Sequence, residues 1–265
     1  MRPRAMVQAT GLLAAALLPG CVMNQPAQAQ PRAQQNATFD VVSVKPSPPD
    51  ARLSETTYDA GSLIAHGVNL KQLIEWAYQV TDVQVSGGPA WQDSKFFDVE
   101  AKAAGAHTKD ELLRMLQPVL ADRFKLALHR ETKQMAVQIL AAGGHSSELH
   151  PAQGGPANVR MQFVPQEVSS DITIEVIGQS ASARYLADYL TGVFGTLVVD
   201  RTGLAGRFDF KVDIAVNQDQ VIANKRAAMM GVLTDAMPRL GFKLTSRKEA
   251  VEVLVIDQAE PPSAN

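Results

Sequence analysis

Two stretches of this chain, about 111 to 118 residues apart, run through the same succession of patterns. In the first, Asn69 precedes Leu70, Leu73, Ile74, Ala77 and Tyr78, one apolar helix stripe with an N-cap residue in front of it. In the second, Ser182 precedes Ala183, Leu186, Ala187, Leu190 and Phe194 at nearly the same spacings. A Gly turn and an alternating strand come next in each, SGGPAWQDSKFFDVEAK (86–102) and VVDRTGLAGRFDFKVD (198–213). A second helix follows. Thr108 and Glu111 have capping-box spacing ahead of Leu112, Leu113, Leu116, Val119 and Leu120, and Pro118 predicts a kink or an early stop. Its counterpart carries Met230, Leu233, Met237 and Leu240. Both helices deliver a Phe-Lys-Leu strand start, at 124–126 and 242–244. A basic turn (Arg130 and Lys133; Arg247 and Lys248) and a final apolar strand (135–141; 251–256) then read as a hairpin.

The expected fold is therefore α+β, built of two degenerate repeats. Each repeat lays two amphipathic helices on a mainly antiparallel sheet. The first repeat spans 39–142, opening on the strand FDVVSVKP, and the second spans 159–262. The Gly, Pro and Ser-rich segment 143–158 reads as the linker between them.

The N-terminus reads as an export signal. Arg2 and Arg4 precede an apolar run from Gly11 to Leu18, too short to span a bilayer, with no acidic residue before Asp40. Residues 1–20 are the expected signal peptide, with LPGC (18–21) resembling a lipobox and Cys21 as the lipid-attachment residue. Cleavage after Ala29, at Ala27-Gln28-Ala29, is the alternative. Cys21 is the only cysteine, so no internal disulfide can form. The Gln, Ala and Pro-rich segment 21–38 reads as a disordered tether. The expected location is thus outside the cytoplasm: periplasmic, membrane-anchored as a lipoprotein, or extracellular. Membrane contact is expected only through the lipid. A net charge of −2 without a block of like charge argues against nucleic-acid binding.

No catalytic constellation is legible. Asp200-Arg201-Thr202-Gly203 places an Arg between the Asp and the hydroxyl residue, unlike an aspartic-protease loop, and the first repeat offers no second Asp at Gly88–Trp91. Asp200 reads as a turn brace. His66, His107, His129, His145 and His150 are scattered without zinc-ligand spacing. No Gly-x-Ser-x-Gly elbow occurs, and Gly87-Gly88-Pro89 lacks the Lys-Ser/Thr ending of a phosphate cradle. No metal and no cofactor is expected. Trp76, off the helix stripe, and Trp91, at a turn, form the candidate binding surface.

FDVVSVKP, NLKQLIEWAYQV with SGGPAW, LADRFKLALHRETK, VVDRTGLAGRFDF and LGFKLTSRKEAVEVLVIDQAEPPSAN together resemble a known group. It is the acidobacterial paralogous family of exported proteins built on a domain of unknown function. The resemblance implies export and assigns no activity, cofactor or catalytic residue. It also implies kinship with domains joined to β-lactam-sensor-type membrane metallopeptidases, although no His-Glu-x-x-His occurs here. The expected role is a non-catalytic binding, sensing or envelope-interaction module whose partner is an envelope protein or a small ligand. The alternative is a periplasmic hydrolase with a site assembled from residues distant in sequence.

Overall fold

The computed structural model describes residues 38–48, 55–144, 146, 148–164 and 171–262. The signal-peptide, Cys21 and most tether expectations lie outside these residues, as does His145. In chain order the elements are β1 (Val41–Pro46), β2 (Glu55–Tyr58), β3 (Ser62–Asn69), α1 (Leu70–Tyr78), β4 (Val85–Gly87), β5 (Phe96–Lys102) and α2 (Lys109–Arg123). Then come β6 (Ala127–Ala142), β7 (Leu149–Pro151), β8 (Asn158–Val164), β9 (Asp171–Ala181), α3 (Ala183–Phe194) and β10 (Val198–Arg201). The last are β11 (Phe208–Asn217), α4 (Gln218–Ala223), α5 (Lys225–Arg239) and β12 (Phe242–Gln258). A 3-10 turn, Asp82–Gln84, leads into β4. The mixed α+β class is as expected.

Local chemistry sets the helix starts. The Asn69 side chain accepts from Gln72 N while the Gln72 side chain returns a bond to the Asn69 backbone, a complete capping box. Thr108 and Glu111 do the same for α2, and Ser182 accepts from Tyr185 N at the start of α3. α2 does not stop at Pro118 but continues to Arg123.

The strands form three four-stranded sheets. Their orders are β1-β5-β3-β2, β10-β6-β12-β4 and β7-β11-β9-β8. The segment 143–158 thus contributes β7, an edge strand paired with β11. The outer two sheets carry a bulge in the same place. In β3 the register shifts between Ala65 and Val68, with Gly67 at φ 63°. The Gly67 N–H donates to Asp98 Oδ1 at 3.0 Å. Between β11 and β9 it shifts between Phe208 and Phe210, and Ser180 (φ 48°) donates its N–H to Asp209 Oδ1 at 2.7 Å. A bulge leaves a backbone donor without a ladder partner, and a carboxylate from the neighbouring strand accepts it.

The expected hairpins within 124–142 and 242–258 do not exist. β6 and β12 are single strands of 16 and 17 residues that pair with each other, antiparallel, along nearly their whole length. The "basic turns" are strand middles: Arg130 lies opposite Leu254 and Lys133 opposite Val251, while Arg247 and Lys248 lie opposite Val137 and Ala136. These middles are polar because residues 129–134 and 246–248 are exposed on both faces of the ribbon. Polarity here marks solvent, not a change of chain direction.

The short strands cross over. β4 pairs in parallel with β12, and β10 in parallel with β6. The cores follow this exchange. One gathers Leu63, Phe97, Leu73, Leu116 and Phe124 and is completed by Leu254 and Ile256 of the last strand. The other gathers Ile174, Val176, Phe210, Leu190 and Leu233 and is completed by Leu140 of β6. Each fully buried side chain of this kind stabilises by about 1.5–3 kcal/mol, so each core depends on a strand supplied from the far half.

Candidate functional site

The DRTG stretch is a self-braced turn. Asp200 Oδ1 accepts from Thr202 N at 2.9 Å and from Thr202 Oγ1 at 2.8 Å, and Thr202 Oγ1 accepts from Leu204 N at 3.2 Å. All these lone pairs serve the backbone and each other, as expected of Asx and Ser/Thr turns. Asp98 and Asp209 in the alternating strands are also bracing groups. Asp98 pays a desolvation penalty, outweighed by bonds from Ser47 Oγ (2.5 Å) and Gly67 N that hold it below the usual carboxylate range. Bonds from Ser180 N and Gln153 N do the same for Asp209.

Both tryptophans are half-buried at the rim of the first core. Trp91 makes an edge contact with Phe97, centroids 6.2 Å apart, and Lys95 Nζ stands 5.8 Å from its ring centroid. Shallow concavities of 250 to 470 Å³ lie elsewhere on the described surface. Both rings thus pack against the first core, Trp91 through Phe97.

No sequence motif singles out Glu75. Burial, reinforced by Asp82, pushes its carboxyl up to about 7, while Lys71 one turn away is held in an ion pair with Asp82. Asp188, at the matching place on α3, is likewise raised by burial, and Arg184 opposes the shift through a 2.9 Å ion pair. Arg184 also reaches Gln79 O at the end of α1, at 3.5 Å. The described histidines remain apart. His66 lies 3.6 Å from Asp98, His107 caps Ala104 O, and His150 is on β7. His129 joins Asp257 and Glu131, at 2.9 and 3.2 Å. Among the described residues no group of three or more His, Cys, Asp or Glu is placed to hold a metal ion.

The central ribbon is flanked by other strands over only part of its length. β10 covers only 138–141 of β6, and β4 covers only 254–256 of β12. Gln138 N donates outward to Leu197 O at 2.8 Å, so strand alternation turns the peptide groups of Leu128, Arg130, Thr132, Gln134 and Ala136 to the same outer side. On β12, Ile256 O accepts outward from Gly88 N, which likewise turns Leu244, Ser246, Lys248 and Ala250 outward. No described strand pairs with either row. Gln84 Nε2 caps Glu252 O at 3.1 Å, where the second row ends.

The family model of the proteins of unknown function termed DUF3738 matches residues 71–259. The chain belongs to the DUF3738 family. The match takes in both long strands and both exchanged strands of the central sheet. No curated protein and no solved structure matches this DUF3738 chain. No described helix is long and apolar enough to cross a membrane.

Proposed function

We propose that this DUF3738 protein is an exported, non-catalytic binding module of the cell envelope, lipid-anchored through Cys21. It captures an extended segment of a partner by strand addition to the central ribbon. The observation that carries this reading is the open edge: strands of 16 and 17 residues whose outer neighbours cover four and three of them. An added strand gains main-chain hydrogen bonds at such an edge, with side-chain pockets supplying specificity. Charged residues along both edges discourage indiscriminate pairing, the usual protection of an edge that must stay free. A photo-crosslinking residue at Thr132 on β6, or at Thr245 on β12, used in envelope preparations, tests the proposal. Crosslinks to a discrete partner that disappear on the matching Gln134→Pro or Ser246→Pro support it, because those N–H groups point outward and their loss breaks no internal bond. Crosslinking that survives the matching proline at both edges refutes it. Cys21→Ser is expected to abolish lipid labelling, and unchanged labelling refutes the anchor.

We also infer that the two halves are degenerate copies of one unit. The strand orders β1-β5-β3-β2 and β7-β11-β9-β8 correspond member by member. The two bulge-bracing aspartates correspond, as do the exchanged strands. Ala65 opposite Val99 becomes Gly178 opposite Phe210, the same pair with its volume redistributed. The competing hydrolase reading is favoured by the near-neutral carboxyl of Glu75. A hydrolytic activity of the purified chain that vanishes in Glu75→Gln would establish it.

A further inference from the structure

The two open edges differ in charge. Along β6 every cation already has an acidic partner. Arg130 pairs with Glu252, Lys133 with Glu131 at 3.1 Å, and His129 with both Asp257 and Glu131. Along β12 the position is reversed. Lys243, Arg247 and Lys248 are exposed, and none forms an ion pair among the described residues. The neighbouring acid, Glu249, faces Arg201 at 3.9 Å. Lys243 and Arg247 share one face of the strand by alternation and Lys248 stands on the other, all within about 17 Å of strand. At the start of this edge a concavity of about 450 Å³ opens, lined by Met237, Pro238, Phe242, Lys243 and Leu244.

We propose that the outer edge of β12, residues 243–251, is the docking site for an extended acidic peptide segment of a partner protein. The proposal rests on the strand-addition reading above. Main-chain bonds form to the outward groups of Leu244, Ser246, Lys248 and Ala250. Carboxylates on both faces of the incoming strand meet Lys243, Arg247 and Lys248, and an apolar residue at one end enters the concavity beside Phe242. The paired charges along β6 leave that edge without this preference. Electrostatic complementarity of this kind selects the partner and speeds encounter more than it sets the final affinity.

The test uses the full chain and two labelled synthetic peptides, one of alternating Val and Glu and the other of alternating Val and Lys, followed by fluorescence anisotropy. The expected result is binding of the Val-Glu peptide about tenfold or more tighter than of the Val-Lys peptide, weakening with salt. Arg247→Glu with Lys248→Glu reverses the order. Ser246→Pro, at an outward N–H that makes no ladder bond, abolishes binding of both. Far-UV circular dichroism and the urea midpoint establish that each variant is folded. Equal binding of the two peptides, unmoved by the charge reversals but lost in Ser246→Pro, overturns the acidic assignment and leaves strand addition standing. Val-Glu binding that persists in Ser246→Pro overturns strand addition at this edge. Failure of both peptides to bind overturns the proposal.

Discussion

Leu190→Ala should destabilise the opposite half of the molecule as much as its own. Leu190 lies on α3, fully buried in the core that also holds Ile174, Val176 and Leu233. Leu→Ala at such a site costs about 3–4 kcal/mol through lost transfer energy and the residual cavity. For a unit of this size a urea m-value of about 3 kcal/mol/M is reasonable, so the midpoint should fall by about 1 M. The chain has two tryptophans, Trp76 and Trp91, and both pack at the other core. Intrinsic fluorescence therefore reports only on the half that the substitution does not touch. Because Leu254 and Ile256 bring β12 into the first core while β10 leans on β6, the cores are expected to unfold together. The Trp-detected and far-UV circular dichroism transitions should shift by the same amount. An unmoved fluorescence transition beside a biphasic dichroism curve would refute the coupling.

Gly178→Ala should cost about 1–3 kcal/mol, because an added Cβ would stand 2.2 Å from Phe210 Cε1. Adding Phe210→Val, which copies the Ala65–Val99 pair, should recover most of the loss in a urea titration. Glu75→Gln should stabilise by about 1–2 kcal/mol above pH 7, after discounting for solvent screening. The raised carboxyl favours its protonated form in the fold, so the wild-type contribution is full below pH 4.5 and is lost as pH rises through about 7. A midpoint difference that does not grow between pH 5 and 8 would contradict it. Asp209 is depressed by bonds from Ser180 N and Gln153 N, so its contribution is present above the unfolded carboxylate value and is lost as pH falls through the lower folded value. Asp209→Asn should remove that segment of the acid-unfolding profile, and an unchanged profile would show that Asp209 is not a brace.

Short-range chemistry was legible in the sequence and tertiary pairing was not. Asn69, Thr108 with Glu111, and Ser182 act within one helical turn, so their capping roles could be read from spacing alone. The middles of β6 and β12 misled because a strand exposed on both faces has no alternation, and Arg130 to Lys133 then looks like a turn. β4 and β10 are three and four residues long, and nothing local records that their partners lie in the opposite half. The aspartates of FDV and FDF alternate like solvent-facing residues, yet their purpose is set by a bulge on the neighbouring strand. Trp76 and Trp91 were singled out by residue type, whereas the basic run at 243–248 was visible but its chemistry was hidden. Whether a cation has a partner is a property of the fold, and only the assembled sheet distinguishes Lys248 from Lys133.

The exchange of β4 and β10 also dictates an order of events during synthesis. Val85 finds its ladder partner only at Leu254, so the first half emerges from the ribosome well before the strand that completes its sheet. Until the final residues arrive, β6 lacks its long neighbour and the first core lacks Leu254 and Ile256. Contacts of such wide sequence separation delay folding and prolong the exposure of apolar surface. The first half can therefore form its own sheet early, but its core is closed only when Leu254 and Ile256 join it.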